Sequence, residues 1–102
     1  MLNQVTLVGR LTDTPKMQEA ENGKKITVIT VAVSRTFKNI DGEYETDFVN
    51  CILWNNIASS TVEYCKKGDV LGVKGRIQTS SCKNKNTIEV IAEKVTFLTT
   101  GK

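Results

Sequence analysis

Histidine is absent from this chain, proline occurs once, and the three cysteines, Cys51, Cys65 and Cys82, are odd in number and form no CxxC pair. Without imidazole, and with no close cluster of thiols or carboxylates at ligand spacing, a zinc site lacks its usual donors, so no metal and no cofactor are expected. The same absence removes the commonest general acid–base group. Carboxylates remain, confined mainly to one short segment and scattered positions, and the chain is not read as an enzyme. The cysteines fit reduced thiols rather than a disulfide framework. The opening residues, MLNQVTLVGRL, lack the basic start and long apolar stretch of a secretory signal. No run approaches the roughly 20 apolar residues of a membrane span. A cytoplasmic location with no membrane partner is expected.

What is present is ordinary for a soluble domain: 102 residues, 39% hydrophobic and 25% charged, enough for one domain (1–102) with one modest core. Fourteen basic against 11 acidic residues give +3 and a pI near 8.8, compatible with a nucleic-acid partner without requiring one. Four of the acidic groups, Asp41, Glu43, Glu45 and Asp47, share one short segment. With those four set aside, 7 acidic groups remain against 14 basic ones, so the bulk of the domain is more basic than the total suggests.

The stretch Thr46 to Ala58, TDFVNCILWNNIA, organises the rest. It reads as a strand, with Val49, Cys51 and Leu53 on one face and Phe48, Asn50, Ile52 and Trp54 on the other. The first set is a core face. The second holds two rings six residues apart, about 20 Å at the rise of a strand, with an amide between them. That spacing suits several nucleotides of a single strand better than one small ligand. A ring on a strand is more often packing than a platform, so the surrounding fold has to decide.

Taken in order, Asn3 to Leu11 alternates Val5, Leu7, Gly9 and Leu11 against Gln4, Thr6, Val8 and Arg10, a strand with glycine where a bend would sit. A turn at Asp13-Thr14-Pro15 follows, then a short strand within Lys16 to Ala20 and a tight reversal at Asn22-Gly23. Lys25 to Phe37 is a long β-branched strand, with Ile29, Val31 and Val33 on one face and Val28, Thr30, Ala32 and Ser34 on the other. Phe37 shares the parity of the core set, so it reaches a surface shared with Phe48 only past the barrel or after a bulge. Asp41-Gly42 turns the chain into the central strand, with Phe37 and Phe48 expected near the open end of that hairpin. Asn55 to Lys67 breaks alternation and reads as one short helix: Ile57, Ala58, Val62 and Cys65 recur at helical spacing, Lys66 and Lys67 fill the last turn, and Gly68 is placed as the C′ residue. Val70 to Ser80 returns to strand, with Leu71, Val73 and Ile77 inward and Lys74, Arg76 and Gln78 outward. Ser81 to Asn86 reads as a polar, basic loop and Thr87 to Leu98 as the last strand.

Five main strands with one short helix between the third and fourth give an all-β fold, a Greek-key OB-fold barrel. OB-folds bind oligonucleotides or oligosaccharides across their second and third strands, where Arg35, Phe37, Phe48, Asn50 and Trp54 fall. This raises the binding reading of the rings above packing. Arg10, Arg35, Lys38, Lys67 and Arg76 complete the candidate set as phosphate partners.

The blocks NQVTLVGRL, ITVAVSRTF, DFVNCILWNNIA, EYCKKGD and VKGRIQT resemble, in order and nearly in spacing, the bacterial single-stranded DNA-binding protein family over Asn3 to about Leu98. The resemblance implies a homotetramer of OB-folds that binds single-stranded DNA without sequence preference in replication, recombination, repair or DNA uptake, and performs no catalysis. It implies base stacking at Phe37, Phe48 and Trp54, and dimer pairing through the first strand. A usual aromatic position falls on Cys82, the basic residues before it are Ser80 and Ser81, and the loop Lys83 to Asn86 is shorter than in the family, so a smaller binding site is expected. The acidic-tipped tail by which housekeeping members recruit replication proteins is not seen, and recruitment by that route is not expected. Cys82 is expected to be the reactive thiol and Cys51 a core residue. Two other readings stand beside this one: a dimeric, primosome-type assembly factor, and a sugar-binding OB module, which the lack of an export signal and of a clear disulfide pair disfavours.

Overall fold

The computed structural model describes residues 2–82 and 85–99, with the side chains of Ser81, Cys82 and Lys85 outside that description. In chain order the elements are β1 (Val5–Leu11), β2 (Gln18–Glu19), β3 (Lys25–Lys38), β4 (Tyr44–Trp54), α1 (Asn55–Tyr64), β5 (Val70–Cys82) and β6 (Lys85–Phe97). They form one sheet in the order β1-β5-β6-β4-β3-β2, and β1 also meets β3, so five strands close into a barrel. The β4–β6 contact is parallel and the others are antiparallel. This is the OB-fold layout, with the helix between the third and fourth long strands.

Closure rests on two short seams. β1 reaches β3 only at Arg10↔Ala32 and Leu11↔Val31, and β4 reaches β6 at Cys51↔Val90 and Ile52↔Ile91. At the first seam Gly9 approaches so closely that a Cβ would overlap the Ala32 carbonyl oxygen; at the β5–β6 bulge beside Lys74, a Cβ on Gly75 would overlap that of Ile91. Only glycine admits such backbone contact, which is why the sheet can coil tightly at these points.

The core follows the alternation of the strands. Leu11, Ile29, Val31, Cys51, Leu53, Leu71, Val73, Val90 and Ala92 are buried inside, and Ala58 of α1 and Cys65 just after it add to them. Val33 and Val49 pack on the margin. Thr27 is also fully buried, its hydroxyl donating to the Lys16 carbonyl at 2.7 Å. That bond ties the loop before β2 to β3 and satisfies a polar group that would otherwise be costly to bury.

Four sequence expectations are corrected. The helix stops at Tyr64, and Cys65 is extended at φ −120° and ψ 151°. The chain leaves the helix there because the Asp69 carboxylate accepts the Lys66 N–H at 2.9 Å and the Asp69 N–H donates to the Lys66 carbonyl at 3.1 Å, closing a turn over Lys66, Lys67 and Gly68. Gly68, at φ 92°, belongs to that turn and is not the helix C′ residue. Second, Ile77 is 44% exposed rather than inward, since the β5–β6 hairpin runs on past the barrel. Third, Ser81 and Cys82 pair with Asn86 and Lys85, so the strands of that hairpin extend through most of the anticipated loop. Lys83 and Asn84, with the Cys82 side chain, lie outside the described residues. Fourth, Phe48 sits opposite Ala32, about 15 Å along the strand from Phe37.

Candidate nucleic-acid interface

Side chains of directly paired residues share a face of the sheet, so the register states which residues the fold gathers. On β3 and β4 the outward pairs are Ala32↔Phe48, Thr30↔Asn50, Val28↔Ile52 and Ile26↔Trp54. Phe48 is 67% exposed and Val28 48%, while Trp54 is half-buried at the cap of α1. The Thr30 hydroxyl donates to Asn50 Oδ1 at 2.9 Å, which fixes the amide between the two rings. The face is therefore apolar and aromatic with one oriented amide, and beside it Arg10, Ala32, Ser34 and Thr46 line an open concavity of about 440 Å3 between β1, β3 and β4.

Two cations join this face through register alone. Ala32 pairs with Arg10 on one side and Phe48 on the other, giving the rung Arg10–Ala32–Phe48 across three strands. Ile52 pairs with Val28 and Ile91, and Ile91 with Arg76, giving a second rung across four. Arg10 donates from Nη1 to the Gly68 carbonyl at 3.0 Å, and Arg76 from Nη1 to Gln78 Oε1 at 2.8 Å. Both of these partners are neutral, and each bond uses one of the five guanidinium donors. Lys67 is exposed beside the Arg10 anchor: its N–H donates to Thr14 Oγ1, and Gly68 donates to the Leu11 carbonyl.

The other three candidates stand apart, on an arm. Residues 34–48 are exposed apart from half-buried Asn39, and the β3–β4 register shifts between Ser34 and Lys38. Phe37 thus lies both beyond the barrel and inside the irregular segment, 73% exposed. Lys38 Nζ sits 5.7 Å from the centroid of the Tyr44 ring, a cation–π arrangement. Asn39 holds the tip, its Oδ1 accepting the N–H groups of Asp41 and Glu43 at 2.9 Å each. Arg35 is engaged by acid: Nη2 and Nε lie 2.8 and 3.1 Å from the two oxygens of Asp47, and Nη1 lies 3.3 Å from Glu45. Hydrogen bonding from Arg35 holds the Asp47 carboxyl below its ordinary range, and the same bonds raise the guanidinium further. The acidic segment is therefore not uniformly solvated, because two of its four carboxylates are spent on Arg35. Arg35, Phe37, Lys38, Asn39 and Glu45 line a cleft of about 80 Å3, far below the roughly 300 Å3 at which small-molecule pockets begin.

Tyr44, 59% exposed, was missed as a candidate. It shares strand and parity with Phe48, and that parity was the signal available. Burial pushes the Cys51 thiol up to about 11, in keeping with a core position. Among the described residues no group of three or more metal-ligating side chains forms, and no helix is long and apolar enough to cross a membrane.

The outward face of β3 and β4 thus carries exposed rings, with Arg10 on β1 and Arg76 on β5 at the ends of its rungs. The model of the single-strand binding protein family matches residues 2–98. This chain belongs to that family. It is 47% identical to single-stranded DNA-binding protein B of Bacillus subtilis, over 96% of this chain and 91% of that protein. It is also 47% identical to a single-stranded DNA-binding protein of Halalkalibacterium halodurans and 45% identical to single-stranded DNA-binding protein A of Bacillus subtilis. Of these two it spans 61% and 60% of the length.

Proposed function

We propose that this protein binds single-stranded DNA without sequence preference and without catalysis, laying the strand along the outward face of β3 and β4. The carrying observation is the pair of rungs that bring Arg10 and Arg76 to the face bearing Phe48, Asn50 and Trp54. Every base has a π-face, so rings spaced along a strand accept any sequence, while arginines along the margin meet phosphates. The Asn50 amide on this face already accepts the Thr30 hydroxyl through Oδ1, which leaves that oxygen less available for pairing with a base edge. The role that follows is coating and protection of single strands during replication, recombination, repair or DNA uptake, in the cytoplasm.

The assembly we propose is a homotetramer built on β1. The Leu11 N–H donates to the Asp69 carbonyl just before β5, whereas the Thr12 N–H donates to the Thr30 carbonyl on β3. Since successive residues of a strand point their main-chain groups to opposite sides, Thr6 and Val8 direct theirs away from β5. β1 meets β3 only at Arg10 and Leu11, so the edge at Thr6 and Val8 is open to a second copy. Light scattering with and without oligo-dT of graded length tests both parts. A monomer that fails to bind oligo-dT would overturn the reading.

A further inference from the structure

Arg35 differs from the other candidate arginines in what holds it. Arg10 and Arg76 donate to a neutral carbonyl and a neutral amide, but Arg35 presents two edges of its guanidinium to two carboxylates. The Asp47 contact is bidentate, with Nη2–Oδ1 at 2.8 Å and Nε–Oδ2 at 3.1 Å. The guanidinium fork recognises carboxylate and phosphate by the same planar geometry, so a carboxylate pair in that fork is a stereochemical stand-in for a phosphate. Asp47 directly precedes Phe48 on β4, so its carboxylate is carried on the face of the strand opposite to that ring, and the Arg35 contact stands on the arm beside the stacking face rather than on it.

We infer that Glu45 and Asp47 are an internal competitor for Arg35, and that they set affinity by making a DNA phosphate displace them before it reaches the guanidinium. This rests on the proposed single-stranded DNA binding and deepens it by naming affinity-determining residues of that site. Both partners are about half exposed, with side-chain exposures of 47% and 49%, so exchange with solvent-borne phosphate is open on geometric grounds. Asp41 and Glu43 sit on the same arm beside the tip, each bonded through its backbone N–H to Asn39, and neither appears among the carboxylates that pair with Arg35. They supply a control of equal charge change.

The test is a double-mutant cycle read by oligo-dT titration. Glu45→Gln with Asp47→Asn should tighten binding about three- to fivefold, the range expected for releasing an exposed ion pair. Its salt slope should steepen by about 0.7, the increment of one further phosphate contact on single strands. Asp41→Asn with Glu43→Gln should give a smaller gain, and in an Arg35→Ala background the first gain should shrink to that of the control. A gain that survives Arg35→Ala, or that the control equals, or no gain at all, overturns the competitor while leaving the binding reading intact. Absence of oligo-dT binding by the wild type and every variant overturns both. Circular dichroism of each variant keeps misfolding from being taken for either result.

Discussion

Arg10 and Phe48 flank Ala32 on one rung of the sheet, so the backbones that carry a cation and a ring distant in sequence stand two strand spacings, about 10 Å, apart. In the proposed binding mode Arg10 meets a phosphate near the base stacked on Phe48, and this rung depends on the short β1–β3 seam that Gly9 permits. Replacing Gly9 with Val would force the seam apart. We expect loss of that rung, with oligo-dT affinity falling along with thermal stability.

Trp54 is the sole tryptophan and sits on the outward face of β4, opposite Ile26. Trp54→Ala should cost about 1–3 kcal/mol per stacked base. The far-ultraviolet spectrum should be retained, because the buried partners of this strand are Cys51 and Leu53. Leu53→Ala, by contrast, should destabilise the fold by about 2–5 kcal/mol, read by urea unfolding.

Arg10→Ala and Arg76→Ala should each weaken binding to all sequences alike and flatten the slope of log K against log salt by about 0.7. Titration of oligo-dT and a mixed-sequence oligomer at several salt concentrations checks this. Discrimination between the two sequences should not change.

Thr6→Pro removes an N–H that points away from β5 and should therefore dissociate the proposed tetramer without unfolding the barrel. Light scattering reads the mass. A variant that remained tetrameric would move the contact elsewhere.

The Cys51 thiol, raised to about 11 by burial, gives a pH dependence of definite sign. In the unfolded chain the thiol ionises near its ordinary value, so the unfolded state gains thiolate first as pH rises. Stability should be level below about pH 8.5 and fall as pH climbs toward 11. Denaturant midpoints at pH 8 and pH 10.5 compare the two regimes, and Cys51 should resist thiol reagents at neutral pH in the native protein.

Strand parity made the barrel and its inner face legible, because alternation is local: Cys51 and Leu53 inward, Phe48 and Asn50 outward, needed no long-range information. Register did not. That Arg10 lies beside Ala32, and Arg76 beside Ile91, follows from pairing between distant strands, so the candidate cations could be named but not placed. The arm escaped for a related reason. An alternating pattern does not say where a strand leaves the barrel, and the parity that points Ile77 inward holds only within it. The helix end was misjudged because Lys66, Lys67 and Gly68 carry the composition of a helix terminus, while the Asp69 carboxylate captures the same residues in a turn.

Titration of Trp54 fluorescence with oligo-dT, a mixed-sequence single strand and their duplexes at one salt concentration tests most directly whether single strands lie along the β3–β4 face. Binding along the β3–β4 face predicts quenching of similar depth and midpoint with both single strands, and weak quenching with duplex. Equal affinity for duplex, or tight single-strand binding with Trp54 emission unchanged, would contradict it.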